Sequence, residues 1–131
     1  MESLHRLLRF GACAGIAILA IGASLPSTMV GPGEWEVSKT VNGSDGEKVC
    51  LSDPALLTQW EHRSKQCERV ILSSSPEHAE VHYTCNGGGF GTSRVDVLTP
   101  RSVKVDSQGI SGGYPFAFVL HAHRIGPCQP R

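Results

Sequence analysis

The sequence has no surplus of charge of either sign. Lys and Arg number 12 and Asp and Glu 12, so the formal net charge is zero. No basic patch, charge block or acidic tail interrupts the chain, and the electrostatic footprint that nucleic-acid binding requires is missing. Steering by net charge is excluded on the same ground. No Cys-x-x-Cys pair occurs, so the usual spacing of a structural zinc site is absent. No Gly-x-Ser-x-Gly elbow is present. The glycine-rich stretch from Asn86 to Gly91 lacks the Lys-Ser/Thr ending of a phosphate-binding loop and leads into a strand pattern rather than a helix. No apolar run reaches the roughly 20 residues of a membrane-spanning helix.

What is present begins with an export signal. His5, Arg6 and Arg9 form a positive end, Gly11 to Ala23 is an uncharged and mostly apolar run, and Gly22, Ala23 and Ser24 are small. These are the three regions of a secretory signal peptide. The expected organisation is a signal over residues 1–23, cut near Gly22 to Ser24, followed by a single domain over 24–131 that needs no membrane span of its own. Cys13 precedes the end of the apolar run, so it does not fit a lipoprotein box. It is expected to leave with the signal.

Four cysteines then remain: Cys50, Cys67, Cys85 and Cys128. An even set in a small exported chain reads as a disulfide framework. Cys50 and Cys67 flank the helical excursion described below, which favours bonding them and joining Cys85 to Cys128. Cys67 and Cys85 are also equidistant from the turn at Pro76, so Cys67–Cys85 with Cys50–Cys128 is the alternative.

Alternation with a period of two dominates the rest. Trp35 and Val37 share one face of a first strand from Gly33 to Lys39, and the Asn42-Gly43 turn leads to a second over Glu47 to Leu51. Asp53 is a good N-cap and Pro54 a good first residue, which predicts a helix from Pro54 to Glu61 or His62. Further strands are expected over Cys67 to Ser73, His78 to Cys85, Gly91 to Leu98, Ser102 to Asp106 and Tyr114 to His123. Gly109, Gly112 and Gly113 are read as a loose turn. The fold class is mainly β: an antiparallel meander of about seven strands forming a curled sheet or small barrel, with one short helix and two disulfides.

The order of the motifs resembles the exported bacterial proteins grouped as the domain of unknown function 3617 family. The likeness rests on Pro32-Gly33-Glu34-Trp35-Glu36, then Cys50, Cys67 and Cys85, and finally Arg124-Ile125-Gly126-Pro127-Cys128. It spans essentially the whole chain after the signal. It implies a small β-rich periplasmic domain without established activity, and it transfers no catalytic residues. The late strand carries Phe, Val and His where comparable members are rich in Met and Thr.

Candidate functional residues are few. His121 and His123 project to one face of a strand and could share a metal ion, with a third ligand from His78, Glu80, His82, Asp96 or Asp106. The default reading of the same pair is a solvent-facing strand surface opposite the face that holds Phe116 and Phe118. Trp35 and Trp60 could line a pocket for an apolar ligand, although core packing is their default. Phe90, in its glycine loop, could be an exposed contact residue. No catalytic constellation and no cofactor motif is found. The expected role is a noncatalytic binding or structural domain of the cell envelope, whose partner is an envelope protein or a small apolar ligand. The alternatives are an inhibitor of an envelope hydrolase, with Phe90 as the plug, and a metal-binding protein using His121 and His123.

Overall fold

The computed structural model describes residues 30–130. The expected signal segment and Cys13 lie outside the described residues. Seven strands form one antiparallel sheet: β1 Gly33–Ser38, β2 Glu47–Leu51, β3 Cys67–Ser74, β4 His78–Cys85, β5 Phe90–Thr99, β6 Ser102–Ser111 and β7 Tyr114–Gly126. The sheet is curled and does not close into a barrel, because its order is β2-β1-β7-β6-β5-β4-β3 and the two end strands do not pair.

This order modifies the expected meander. Strands β3 to β7 follow one another, but the β1–β2 hairpin docks through β1 onto β7. The sequence neighbours β2 and β3 therefore occupy opposite edges. The segment Pro54–His62 between them must travel from one edge to the other, and it crosses the inner face on the way.

That segment has the predicted bounds but is a 3-10 helix, not an α-helix, kinked at Gln59. Asp53 caps it by accepting a hydrogen bond from the Ala55 amide at 3.0 Å. Leu57 and Trp60 are both buried and lie three residues apart, the spacing at which side chains stack on one side of a 3-10 helix. Thr58 Oγ donates to the Ala55 carbonyl at 2.7 Å, and the Gln59 amide donates to the Lys65 carbonyl at 3.2 Å. Such local side-chain bonds compete with the α-helical ladder.

The inner face carries the apolar half of each alternation. Trp35, Val81, Tyr83, Val105 and Leu120 are fully buried there. Two serines interrupt it: Ser93 and Ser107 are register partners on β5 and β6, and their hydroxyls hydrogen-bond each other. Ser93 also donates to the Thr58 carbonyl at 2.6 Å. These buried hydroxyls are thus satisfied, and they tie the 3-10 segment to the sheet.

The disulfides are Cys50–Cys128 and Cys67–Cys85, which corrects the favoured pairing. Cys67 and Cys85 are direct register partners across the β3–β4 hairpin. Cys50 is opposite Glu34, and Glu34 is opposite Gly126, so Cys128 arrives two residues later to bridge over β1. Flanking the helical excursion did not bring Cys50 and Cys67 together, because the excursion spans the sheet. Taken singly, crosslinks closing 78 and 18 residues stabilise by about 4.5 and about 3 kcal/mol on the chain-entropy estimate.

Strand β6 runs to Ser111, past the end expected at Asp106. Gly109 belongs to the strand, and only Gly112 and Gly113 form the turn, both at positive φ. They close a two-residue hairpin between the partners Ser111 and Tyr114. Gly109 is needed for close approach instead: a Cβ there would sit 2.6 Å from the Gly91 Cα and strike the Phe90 carbonyl. Gly109→Ala should therefore cost about 1–3 kcal/mol, the usual range for overpacking. Gly126→Ala, where a Cβ meets nothing within 4 Å, should be close to neutral. Equal denaturant midpoints for the two variants would contradict this packing.

Candidate binding groove on the outer face

The structure separates the residues singled out from the sequence. Trp35 is 0% exposed, and its indole N–H donates to the Gly31 carbonyl at 3.2 Å. Trp60 is buried, with the Arg63 guanidinium 4.3 Å from its ring centroid. Both are core residues. The apolar cavity beneath the 3-10 segment is lined by Val30, Leu57, Val95, Val97, Val103 and Val105 among others, and neither tryptophan borders it. At about 60 Å³ it is far below the roughly 300–1,000 Å³ of a typical ligand pocket.

His121 and His123 do share the outer face of β7. They border a cleft of about 120 Å³ with Glu36, Ser38, Thr40 and the β1–β2 turn. The turn is pinned by Asp45, which accepts hydrogen bonds from the Ser38 hydroxyl, the Thr40 hydroxyl at 2.8 Å and the Lys39 amide at 3.2 Å. The Ser38 and Thr40 hydroxyls hold its carboxyl down at a pKa of about 2. None of the suggested third metal ligands borders this cleft. His78 bonds Asp96 at 2.7 Å, His82 bonds Thr92 at 3.2 Å, and Asp106 is opposite Val119. Among the described residues no three His, Cys, Asp or Glu side chains are placed to hold a metal ion.

Phe90 is not at a loop tip. It is the first residue of β5, paired with Thr84 and Ile110, and its side chain lies on the outer face at 45% exposure. That position makes it one wall of an open groove of about 680 Å³ across strands β4 to β7. Strand register explains the groove. One transverse row of outer residues is Phe90, Ile110 and Pro115; the next is His82, Thr92, Gln108 and Ala117. Between the rows lie the register partners Gly91 and Gly109. Tyr83 and Phe116 cover these glycines from below, since a Cβ on Gly91 would meet the Tyr83 ring at 2.8 Å and one on Gly109 the Phe116 ring at 3.0 Å. One wall is thus apolar and the other able to hydrogen-bond. Among the described residues no Asp, Glu, Lys or Arg lines the groove. The row beyond is charged on β4 to β6, with Glu80, Arg94 and Asp106 in register, and ends at Val119 on β7. No single stretch of sequence shows this contrast, because the rows combine four strands whose register is set by long-range pairing.

A second feature escaped sequence reasoning. His62, at the end of the 3-10 segment, is 2% exposed. Its Nδ1 hydrogen-bonds the Tyr83 hydroxyl at 2.9 Å, and its ring meets the edges of Tyr83 and Phe116. Among the described residues Nε2 finds no hydrogen-bond partner, and it abuts Gly89, whose missing side chain leaves it room. Burial pushes the His62 pKa down, reinforced by Lys65 and opposed by Glu61. Burial likewise pushes the Tyr83 hydroxyl up to about 12.

The sign of the His62 effect follows from proton linkage. The unfolded chain binds a proton near pH 6.5, while the folded chain resists it until lower pH. The unfolded state therefore holds more protons in that window, and stability is lost as pH falls below about 6.5. Replacing both partners by phenylalanine, His62→Phe with Tyr83→Phe, leaves no polar group of this pair behind. Urea unfolding at pH 7.5 and 5.5 should show a smaller loss of stability on acidification in this double variant than in the wild type. An unchanged loss would refute the assignment.

Compared with known proteins, the chain matches no family model, no curated protein and no solved structure.

Proposed function

We propose that this chain is an exported, noncatalytic β-domain of the cell envelope, of the kind its resemblance to the domain of unknown function 3617 family implies, and that it binds its partner through the outer-face groove around Phe90. The signal-like residues 1–23 and two disulfides support an oxidising compartment outside the cytoplasm. The groove is the observation that carries the binding reading. An apolar wall left half-exposed beside a hydrogen-bonding one, next to a row that holds Glu80, Arg94 and Asp106, is the kind of surface that marks recognition. The cavity beneath the 3-10 segment, at about 60 Å³, gives less support to a small apolar ligand than the groove does. Phe90 opens a strand instead of standing at the tip of a loop, which lends the plug reading less support than the groove reading.

Sedimentation with a bacterial envelope preparation tests the reading. Wild-type protein should pellet with the envelope, and Phe90→Ala should weaken retention by about tenfold, the loss expected of a contact residue worth about 1.4 kcal/mol. Leu98→Ala, at a 63% exposed position away from the groove, should behave as wild type. Wild-type protein that stays in the supernatant, or a Phe90 variant that pellets equally well, would overturn the proposal.

A further inference from the structure

The groove's chemistry narrows its occupant. We infer that it takes an uncharged saccharide chain lying across strands β4 to β7. This inference rests on the groove being the binding surface. Charge excludes much else. Groove-lining side chains carry no formal acid or strong base, while the adjoining row holds Glu80, Arg94 and Asp106. A charged polymer laid in the groove would give up solvation without gaining an ion pair there.

The two walls also differ in a way that suits a sugar. A pyranose ring has C–H faces and hydroxyl edges. The Phe90 ring, with Ile110 and Pro115 beside it, offers the apolar contact, and the negative face of an aromatic ring attracts the weakly positive C–H groups. His82, Thr92 and Gln108, in the neighbouring row, offer donors and acceptors to hydroxyls. The His82–Thr92 hydrogen bond at 3.2 Å holds part of that row in place before any ligand arrives. Because the rows run across the strands, a sugar chain laid along them would meet Phe90 beside Thr92 on β5 and Ile110 beside Gln108 on β6.

A peptide is disfavoured by the backbone. Strands β4, β5, β6 and β7 are each paired on both sides. Their N–H and C=O groups are engaged in the ladders, so an added strand finds no partners on this face. Strand addition uses sheet edges, which here are β2 and β3.

Titration of the ¹⁵N-labelled protein with the tetramer of N-acetylglucosamine, followed by amide chemical shifts, tests the inference. Saturable shifts should concentrate at His82, Phe90, Thr92 and Gln108. Phe90→Ala and Gln108→Ala should each weaken the apparent affinity by about tenfold or more, with the spectra showing that both variants remain folded. An absence of saturable shifts, shifts centred elsewhere, or shifts unaffected by both variants would overturn it. If the sugar fails while envelope retention still depends on Phe90, the saccharide class is wrong and the groove stands. If both fail, both readings fall.

Discussion

An unclosed sheet leaves its inner face open, and the fold depends on how the Pro54–His62 segment covers it. The segment joins the two edge strands, so it must cross the sheet. Leu57 and Trp60 bring the apolar surface, and Ser93 fixes the crossing by donating to the Thr58 carbonyl. Without that cover, Val95, Val97, Val103 and Val105 would face solvent. At about 25 cal/mol per Å² of apolar surface, exposing several such side chains would consume much of the 5–15 kcal/mol that holds a domain together. The crosslinks act at the margins of this arrangement. Cys67–Cys85 clamps the edge hairpin where the chain leaves the crossing, and Cys50–Cys128 ties β2 to the chain end over β1.

The same register that builds the core builds the outer surface. Facing glycines on β5 and β6 let Tyr83 and Phe116 pack close beneath the sheet. Above them, two rows of uncharged side chains frame the groove. Core packing and groove shape are thus linked through Gly91 and Gly109, on opposite faces of one thin patch of sheet. His62 completes the inner side: its ring sits edge-on to the aromatic pair, with Gly89 giving it room.

Alternation made most strands legible in the sequence. His78–Cys85 has the bounds that its pattern and flanking turns indicate. Strand β6 was read short because Gly109 looked like turn chemistry, whereas its role is a close backbone approach visible only once β5 lies beside it. The 3-10 geometry was hidden for a related reason. Asp53 and Pro54 signal a helix start of either kind, and the choice was made by Thr58 and Gln59 bonding to backbone within the crossing. Pairing of β1 with β7 joins distant parts of the chain, and no local pattern encodes it. The disulfide connectivity depends on that pairing, so the position of Cys50 and Cys67 on either side of the helical segment points to the wrong partners. The groove is legible only as the exposed character of Phe90; its other wall combines His82, Thr92, Gln108 and Ala117 from four strands. His62 looked like any residue at a helix end.

The strand order and the crosslinks stand or fall together, so peptide mapping of the non-reduced protein tests the account most directly. The topology predicts disulfide-linked peptides joining Cys50 to Cys128 and Cys67 to Cys85. Linked peptides joining Cys50 to Cys67 and Cys85 to Cys128 would contradict the placement of β1 between β2 and β7, and with it the register that forms the groove.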